Sequence, residues 1–76
     1  MRDIIEKILD ECLLEDFRKS SDMIEDGLID SFDMIQILTS LEAEFDIEIN
    51  MSDIERADLK NVEAIENLIQ RVKNEN

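Results

Sequence analysis

Apolar residues recur at helical spacing in three stretches of this chain. In the first stretch two rows of apolar residues, each with a spacing of four, predict a helix over about residues 3–16. Asp3, followed three residues later by Glu6, favours a capping box at its start. The two rows consist of Ile4, Ile8 and Cys12, and of Ile5, Leu9 and Leu13.

The second stretch predicts a helix over residues 31–45. At about 100° per residue, one stripe of this helix is apolar along its whole length and is expected to face the core. The stripe contains Met34, Leu38, Leu41 and Phe45, widened by Ile37.

The segment between these helices, residues 17–30, is long for a helix-to-helix connection. Gly27, the only glycine, is expected to supply a backbone turn that other residues resist. Four apolar side chains are expected to hold the segment on the helices: Met23, Ile24, Leu28 and Ile29.

Residues 45–49 alternate between apolar and acidic, which locally indicates a strand. A single strand would have no pairing partner, because the other apolar runs are helical. We therefore expect an extended link that buries Ile47, with Ile49 as the second candidate.

Two further helices are predicted after this link. Ser52 with Glu55 favours a capping box that opens a short helix near residues 52–58. Asn61 is expected to cap a longer helix over about residues 62–73. The pattern thus predicts one all-α domain over residues 1–76, a four-helix bundle with three longer helices and a short third one.

The charge of the chain narrows the class of partner. The formal net charge is −13, from 21 acidic and 8 basic residues, so nucleic acid and anionic membranes are poor partners. Basic protein surfaces are good partners, because opposite charge accelerates encounter. No leader or long apolar run is seen, and we expect a cytoplasmic monomer.

The residue types argue against catalysis. The chain has no histidine and a single cysteine, so it lacks Ser-His and Cys-His pairs and soft metal clusters. Cys12 lies on the apolar stripe of the first helix, where a buried structural thiol is expected. The sequence predicts that the protein is not an enzyme and has no resident metal.

Ser31 is the candidate functional residue. It follows Asp30 directly and precedes the apolar pattern of the second helix, which places it at or beside a helix N-cap. Unpaired N–H groups and the helix dipole favour a bound phosphate at this position. A serine at a helix start is nevertheless most often only a cap.

Apolar residues near Ser31 fall outside the core stripe of the second helix. Phe32, Ile35 and Thr39 lie on this side, which predicts a surface for docking a partner. The alternative is that Phe32 and Ile35 pack under the preceding loop. The acidic rim of the proposed surface contains Asp30, Asp33, Glu42 and Glu44.

A calcium-binding loop is the competing hypothesis for residues 22–33. Asp22, Asp26 and Asp30 occupy ligand positions, and Gly27 stands at the sixth position. Ile24 replaces the third ligand, however, and Asp33 stands where a bidentate glutamate is required. An EF-hand-like module is therefore the weaker alternative.

Three segments of the chain resemble acyl carrier proteins, in which an Asp-Ser-Leu or Asp-Ser-Phe triplet opens the second helix at the phosphopantetheine attachment site. The first segment, which contains this triplet, is residues 26–35, DGLIDSFDMI. The others are residues 41–49, LEAEFDIEI, and residues 59–65, LKNVEAI. The resemblance covers most of the chain.

This resemblance implies a specific chemistry. A partner phosphopantetheinyl transferase, with magnesium, would move 4′-phosphopantetheine from coenzyme A onto Ser31, and Asp30 would match the acid of the motif. The carrier would then hold acyl groups as thioesters. It implies contacts with loading and acyl-transfer enzymes through Ile35, Thr39, Glu42 and Glu44.

Three residues depart from the pattern of fatty-acid carriers. Phe32 replaces the commoner leucine, Gln36 stands where many of those carriers have an acid, and Ala43 interrupts an acidic run. These departures bring the chain closer to carriers of aminoacyl groups, such as D-alanyl carrier proteins. A general acyl carrier is the first expectation and an aminoacyl carrier is the alternative.

Overall fold

Three α-helices form the scaffold of the chain. The computed structural model describes residues 1–13, 17 and 20–75. Within them, α1 is Arg2–Cys12, α2 is Ser31–Phe45 and α3 is Val62–Glu75. Two short 3-10 helices, η1 (Met51–Asp53) and η2 (Arg56–Leu59), connect α2 to α3. The described residues contain no strand, so the all-α prediction is confirmed.

The core lies where the three helices meet. α1 contacts both α2 and α3, and η2 packs on α3. Burying these aliphatic side chains supplies the main favourable term in folding. The fully buried large side chains are Ile5, Leu9, Met23, Ile37, Leu38, Leu41, Leu59, Ile65, Leu68 and Ile69.

The predicted core stripe of α2 is confirmed at its centre. Ile37, Leu38 and Leu41 are buried, whereas Met34 and Phe45 at the two ends are half-buried against the core. The helix ends at Asp46, whose backbone is left-handed at φ 52° and whose N–H donates to the carbonyl of Glu42. A non-glycine residue in this conformation is uncommon and strained.

The start of α1 differs from the prediction. Met1 is the N-cap and no side chain caps the helix, so the Asp3 and Glu6 capping box is wrong. The helix ends at Cys12, because Leu13 adopts an extended backbone at φ −107° and ψ 137°. Residues 14–16, the rest of the predicted helix, lie outside the described residues.

The short third helix of the predicted four-helix bundle is also not an α-helix. Ser52 does not pair with Glu55 in a capping box: its hydroxyl donates to the side chain of Asn50 at 2.8 Å. The turns close by i→i+3 bonds, from Asp53 N–H to Asn50 and from Asp58 N–H to Glu55. Polar side chains that bond to nearby backbone explain the break into two 3-10 helices. The count of four helices is therefore not confirmed.

The prediction for α3 holds at its start. The side chain of Asn61 accepts a hydrogen bond from Ala64 N–H at 2.7 Å, as an N-cap does. The ion pair between Arg2 and Glu66 joins α3 to α1. A second ion pair, between Arg71 and Asp58 at 3.3 Å, joins α3 to η2.

The loop before α2 is held on the bundle as predicted. Met23 and Ile29 are buried, and Ile24 and Leu28 are half-buried against the core. Gly27 adopts φ +75°, the left-handed conformation that favours glycine. The carbonyl of Lys60 accepts a hydrogen bond from Met23 N–H at 2.6 Å, which ties the loop to the segment before α3.

In the extended link after α2, the residue that is buried is Ile49 and not Ile47. Ile49 is 6% exposed, whereas Ile47 is only half-buried. Among the described residues, no helix combines the length and the apolar character needed to cross a membrane.

Candidate functional site

The N-terminus of α2 is fixed by a capping box. Asp30 is the N-cap, and its carboxylate accepts a hydrogen bond from Asp33 N–H at 2.8 Å. In return, Asp30 N–H donates to the carboxylate of Asp33 at 3.5 Å. These reciprocal bonds satisfy two backbone N–H donors at the start of the helix. Ser31 is therefore not the cap but the first helical residue after it.

Ser31 is exposed at this helix start. The capping box and the first helical bonds use the N–H groups of Asp33 and Met34. Among the described residues, the N–H groups of Ser31 and Phe32 have no acceptor. The site thus places a hydroxyl beside two N–H groups at the positive end of the helix dipole.

Two large apolar side chains next to Ser31 face solvent. Phe32 is 65% exposed and Ile35 is 54% exposed. The alternative that they pack under the preceding loop does not hold, because both are too exposed. Thr39, one turn further along α2, is also exposed.

The acidic residues of the proposed rim differ in their surroundings. Glu44 is exposed, and Asp33 is half-buried within the capping box. Glu42 is half-buried, and one of its carboxylate oxygens accepts a hydrogen bond from Ile49 N–H at 2.8 Å. Glu42 therefore ties the link after α2 to the helix, a role that sequence analysis missed because the residues are seven positions apart.

A cleft opens beside Ser31, between α1 and the start of α2. Its volume is about 480 Å³. Asp30 and Phe32, the neighbours of Ser31 on both sides, belong to its wall. The full lining is Cys12, Gly27, Leu28, Asp30, Phe32, Asp33 and Gln36.

Cys12 is half-buried in this wall, whereas the sequence predicted a buried structural thiol. Burial raises the pKa of the Cys12 thiol, and the nearby carboxylates of Asp33 and Glu11 raise it further. A thiol with a raised pKa is mostly protonated at neutral pH and is a poor nucleophile. The position of Cys12 beside the cleft could not be read from helical spacing alone.

The acids of the calcium-loop hypothesis bond to groups close to them in the chain. One carboxylate oxygen of Asp22 accepts from Ile24 N–H at 3.1 Å, and Asp26 accepts from the hydroxyl of Ser20. Asp30 and Asp33 form the capping box. In the part of the chain that the structure describes, no group of three or more such side chains could hold a metal ion. The geometry gives the calcium hypothesis no support.

The resemblance to acyl carrier proteins implies a serine at the start of the second helix, and Ser31 lies exposed at that position. A family model described as a phosphopantetheine attachment site matches residues 1–69. The chain therefore belongs to the phosphopantetheine-binding carrier family, whose members are carriers rather than catalysts and bear a covalently attached 4′-phosphopantetheine.

One curated relative is similar to this protein over most of its length. The chain is 34% identical over 64 residues to the D-alanyl carrier protein of Lactococcus lactis subsp. lactis (strain IL1403), an alignment that covers 82% of this chain and 81% of the relative. No solved structure matches the chain significantly.

The helix start fits a phosphate-linked cofactor. The hydroxyl of Ser31 is accessible, and the free N–H groups of Ser31 and Phe32 are suitable donors to phosphate oxygens. The carboxylate of Asp30 is held in the capping box, where it bonds to Asp33 N–H. The first turn of α2 therefore offers both an attachment atom and donors.

Proposed function

We propose that Ser31 is the residue to which the 4′-phosphopantetheine of this carrier is attached. The observation that carries the proposal is an exposed hydroxyl on the first residue of α2, within the matched residues 1–69. The other serines of the chain do not open an α-helix: Ser20, Ser21, Ser40 and Ser52.

Attachment replaces one phosphorus–oxygen bond by another. The oxygen of Ser31 bonds to the phosphorus of the phosphopantetheine group, and the bond to the adenosine 3′,5′-bisphosphate part of coenzyme A breaks. The transferase takes the proton of the hydroxyl. The capping box sets the backbone of the first turn, and with it the position of the Cα–Cβ bond that carries the hydroxyl. When attached, the cofactor supplies the thiol that binds cargo as a thioester.

The surface beside Ser31 is proposed to dock the transferase and the loading enzymes. Phe32, Ile35 and Thr39 form its exposed centre. Aromatic residues such as phenylalanine are enriched at protein interfaces, where a few residues carry most of the binding energy. Asp33, Glu42 and Glu44 supply negative charge around it, which favours partners with basic surfaces.

For the cargo, we infer an aminoacyl group and specifically D-alanyl. The D-alanyl carrier protein of Lactococcus lactis supports this choice over a fatty acyl group. The sequence departures at Phe32, Gln36 and Ala43 point in the same direction. A general acyl carrier, the first expectation from the sequence, becomes the competing outcome of the loading experiment below.

The attachment site is tested by mass. The apo-protein is incubated with coenzyme A, magnesium and a broad-specificity phosphopantetheinyl transferase, and the intact protein is weighed. We expect a gain of one phosphopantetheine group, which Ser31→Ala abolishes. Ser52→Ala is the matched control, since Ser52 is also exposed but lies in η1. Unchanged loading of Ser31→Ala would refute the site.

The cargo is tested by loading the modified protein. One reaction contains a D-alanine-adenylating ligase, ATP and D-alanine, and a parallel reaction contains a fatty-acyl ligase, ATP and a fatty acid. We expect a D-alanyl adduct that hydroxylamine removes, as a thioester requires. Fatty acylation with no D-alanylation would overturn the cargo assignment and leave the attachment site intact.

A further inference from the structure

The cleft between α1 and α2 lies next to the proposed attachment atom. Asp30 and Phe32 flank Ser31 in the sequence and both line the cleft. A second cleft, of about 580 Å³, is lined by the starts of α1 and α3 and by residues of the segment between α1 and α2, and it includes no residue of α2. A group tethered to Ser31 therefore meets the first cleft at a far higher effective concentration than a free ligand would.

The residues that line the cleft suit a flexible ligand with alternating polar and apolar parts. Gln36 offers an amide donor and acceptor, and Asp33 offers a carboxylate acceptor. Leu28, Cys12 and the ring of Phe32 supply apolar surface. The pantetheine part of the cofactor has two amide groups, a hydroxyl and a dimethyl-substituted carbon, and thus needs both kinds of partner. The volume of about 480 Å³ lies in the range of small-molecule sites.

Resting on the proposed attachment at Ser31, we propose that the cleft lined by Cys12, Leu28 and Gln36 holds the pantetheine part of the chain's own cofactor between encounters with partner enzymes. Leu28 and Phe32 would be the apolar partners of the dimethyl carbon, and Gln36 and Asp33 would be the polar partners of the amides. The phosphate stays outside the cleft, at the N–H groups of Ser31 and Phe32, away from the carboxylates in the wall.

This arrangement makes Cys12 a reporter of occupancy. Its thiol is half-buried in the cleft wall, so a seated cofactor covers it. The chain has one cysteine, so if the cofactor thiol is replaced by a hydroxyl, Cys12 becomes the only thiol in the protein. Its alkylation rate then measures how often the cleft is open.

The experiment compares alkylation of Cys12 by iodoacetamide in the apo-protein and in protein loaded with the hydroxyl analogue of phosphopantetheine, at one mildly alkaline pH. If the cleft is occupied for about 70–90% of the time, the rate falls about three- to tenfold on loading. Equal rates in the two forms would overturn the proposal.

Two exposed glutamines provide matched variants. Gln36 lies in the cleft, whereas Gln70 lies on α3. In loaded Gln36→Ala we expect the alkylation rate to return towards the apo value. In loaded Gln70→Ala we expect full protection. Equal protection in both variants would remove Gln36 from the proposal.

A second measurement separates occupancy from general stiffening of the bundle. In isotope-labelled loaded protein, nuclear Overhauser contacts are expected between the cofactor methyl groups and the side chains of Leu28 and Phe32. Contacts only to η1 or α3 would place the cofactor elsewhere and contradict the proposal.

The two proposals fail in different ways. If the intact mass shows no gain, or a gain that survives Ser31→Ala, the attachment site is wrong. If the mass gain requires Ser31, but attachment leaves the alkylation rate of Cys12 unchanged and no contacts of the cofactor methyl groups to Leu28 or Phe32 are observed, the attachment site stands. Only the cleft proposal is then overturned.

Discussion

The two faces of α2 are both apolar, yet they have opposite environments. Ile37, Leu38 and Leu41 are 0–1% exposed and pack into the core, whereas Phe32 and Ile35 are 65% and 54% exposed. One helix thus holds the fold together with one face and leaves large apolar groups in water with the other. Leaving such groups exposed gains nothing for folding, and the two side chains are the centre of the docking surface proposed above.

The largest expected effect is on stability, at the buried face. Leu41→Ala should lower the free energy of unfolding by about 2–5 kcal/mol, because it removes buried methyl groups and leaves a cavity. Ile35→Ala, on the exposed face, should change it by no more than about 0.5 kcal/mol. Urea unfolding of both variants measures the difference. Equal losses would mean that the two faces are not distinct.

The second effect is on loading, at the exposed face. Phe32→Ala and Ile35→Ala should each lower kcat/KM of the transferase reaction about tenfold, which corresponds to roughly 1.4 kcal/mol of lost docking energy. Ile4→Ala is the control, since Ile4 is 37% exposed but lies on α1. A docking surface elsewhere is indicated if Ile4→Ala slows loading and the α2 variants do not.

The third effect concerns the capping box that holds Ser31 between the two faces. Asp30→Ala should cost about 1 kcal/mol of stability, because Asp33 N–H loses its acceptor. Asp30→Asn keeps a side-chain oxygen and should recover most of that loss. Thermal or urea unfolding measures the stability of both variants. An Asn variant as unstable as the Ala variant would argue against the cap.

The smallest effect is a gain at the other end of α2. Asp46→Gly should raise stability by about 0.5–1 kcal/mol, because glycine adopts the left-handed backbone freely and an acid is removed from the helix C-terminus. Asp46→Ala removes the charge but keeps the strain, and should gain less. Transferase kinetics should be unchanged in both, since Asp46 lies far along the helix from Ser31. Faster loading of the Gly variant would tie loading to stability rather than to the exposed face.

The bounds of α2 could be predicted because two signals agree there. The apolar stripe predicts residues 31–45, and the acid before Ser31 marks the start. For α1 the pattern alone extended the helix past Cys12, because apolar spacing continues while the backbone turns extended at Leu13. Helix ends are set by local backbone bonds that spacing does not encode.

The segment between α2 and α3 could not be predicted in detail. Ser52 and Glu55 have the spacing of a capping box, but Asn50 competes for the Ser52 hydroxyl, and the turns are closed by 3-10 bonds instead. Likewise, the Glu42 bond to Ile49 N–H joins groups seven residues apart, and the cleft beside Cys12 depends on how α1 meets α2. Such features arise from tertiary packing, which no local pattern contains.

The central claim is that the cofactor is attached to Ser31. Its most direct test is to locate the cofactor on the loaded protein without any substitution. A protease that cleaves before aspartate releases residues 30–32, in which Ser31 is the only hydroxyl side chain, and places every other serine on a different peptide. After loading by the transferase, tandem mass spectrometry should find phosphopantetheine on the 30–32 peptide. Its presence on the peptide of Ser40 or of Ser52 would contradict the account.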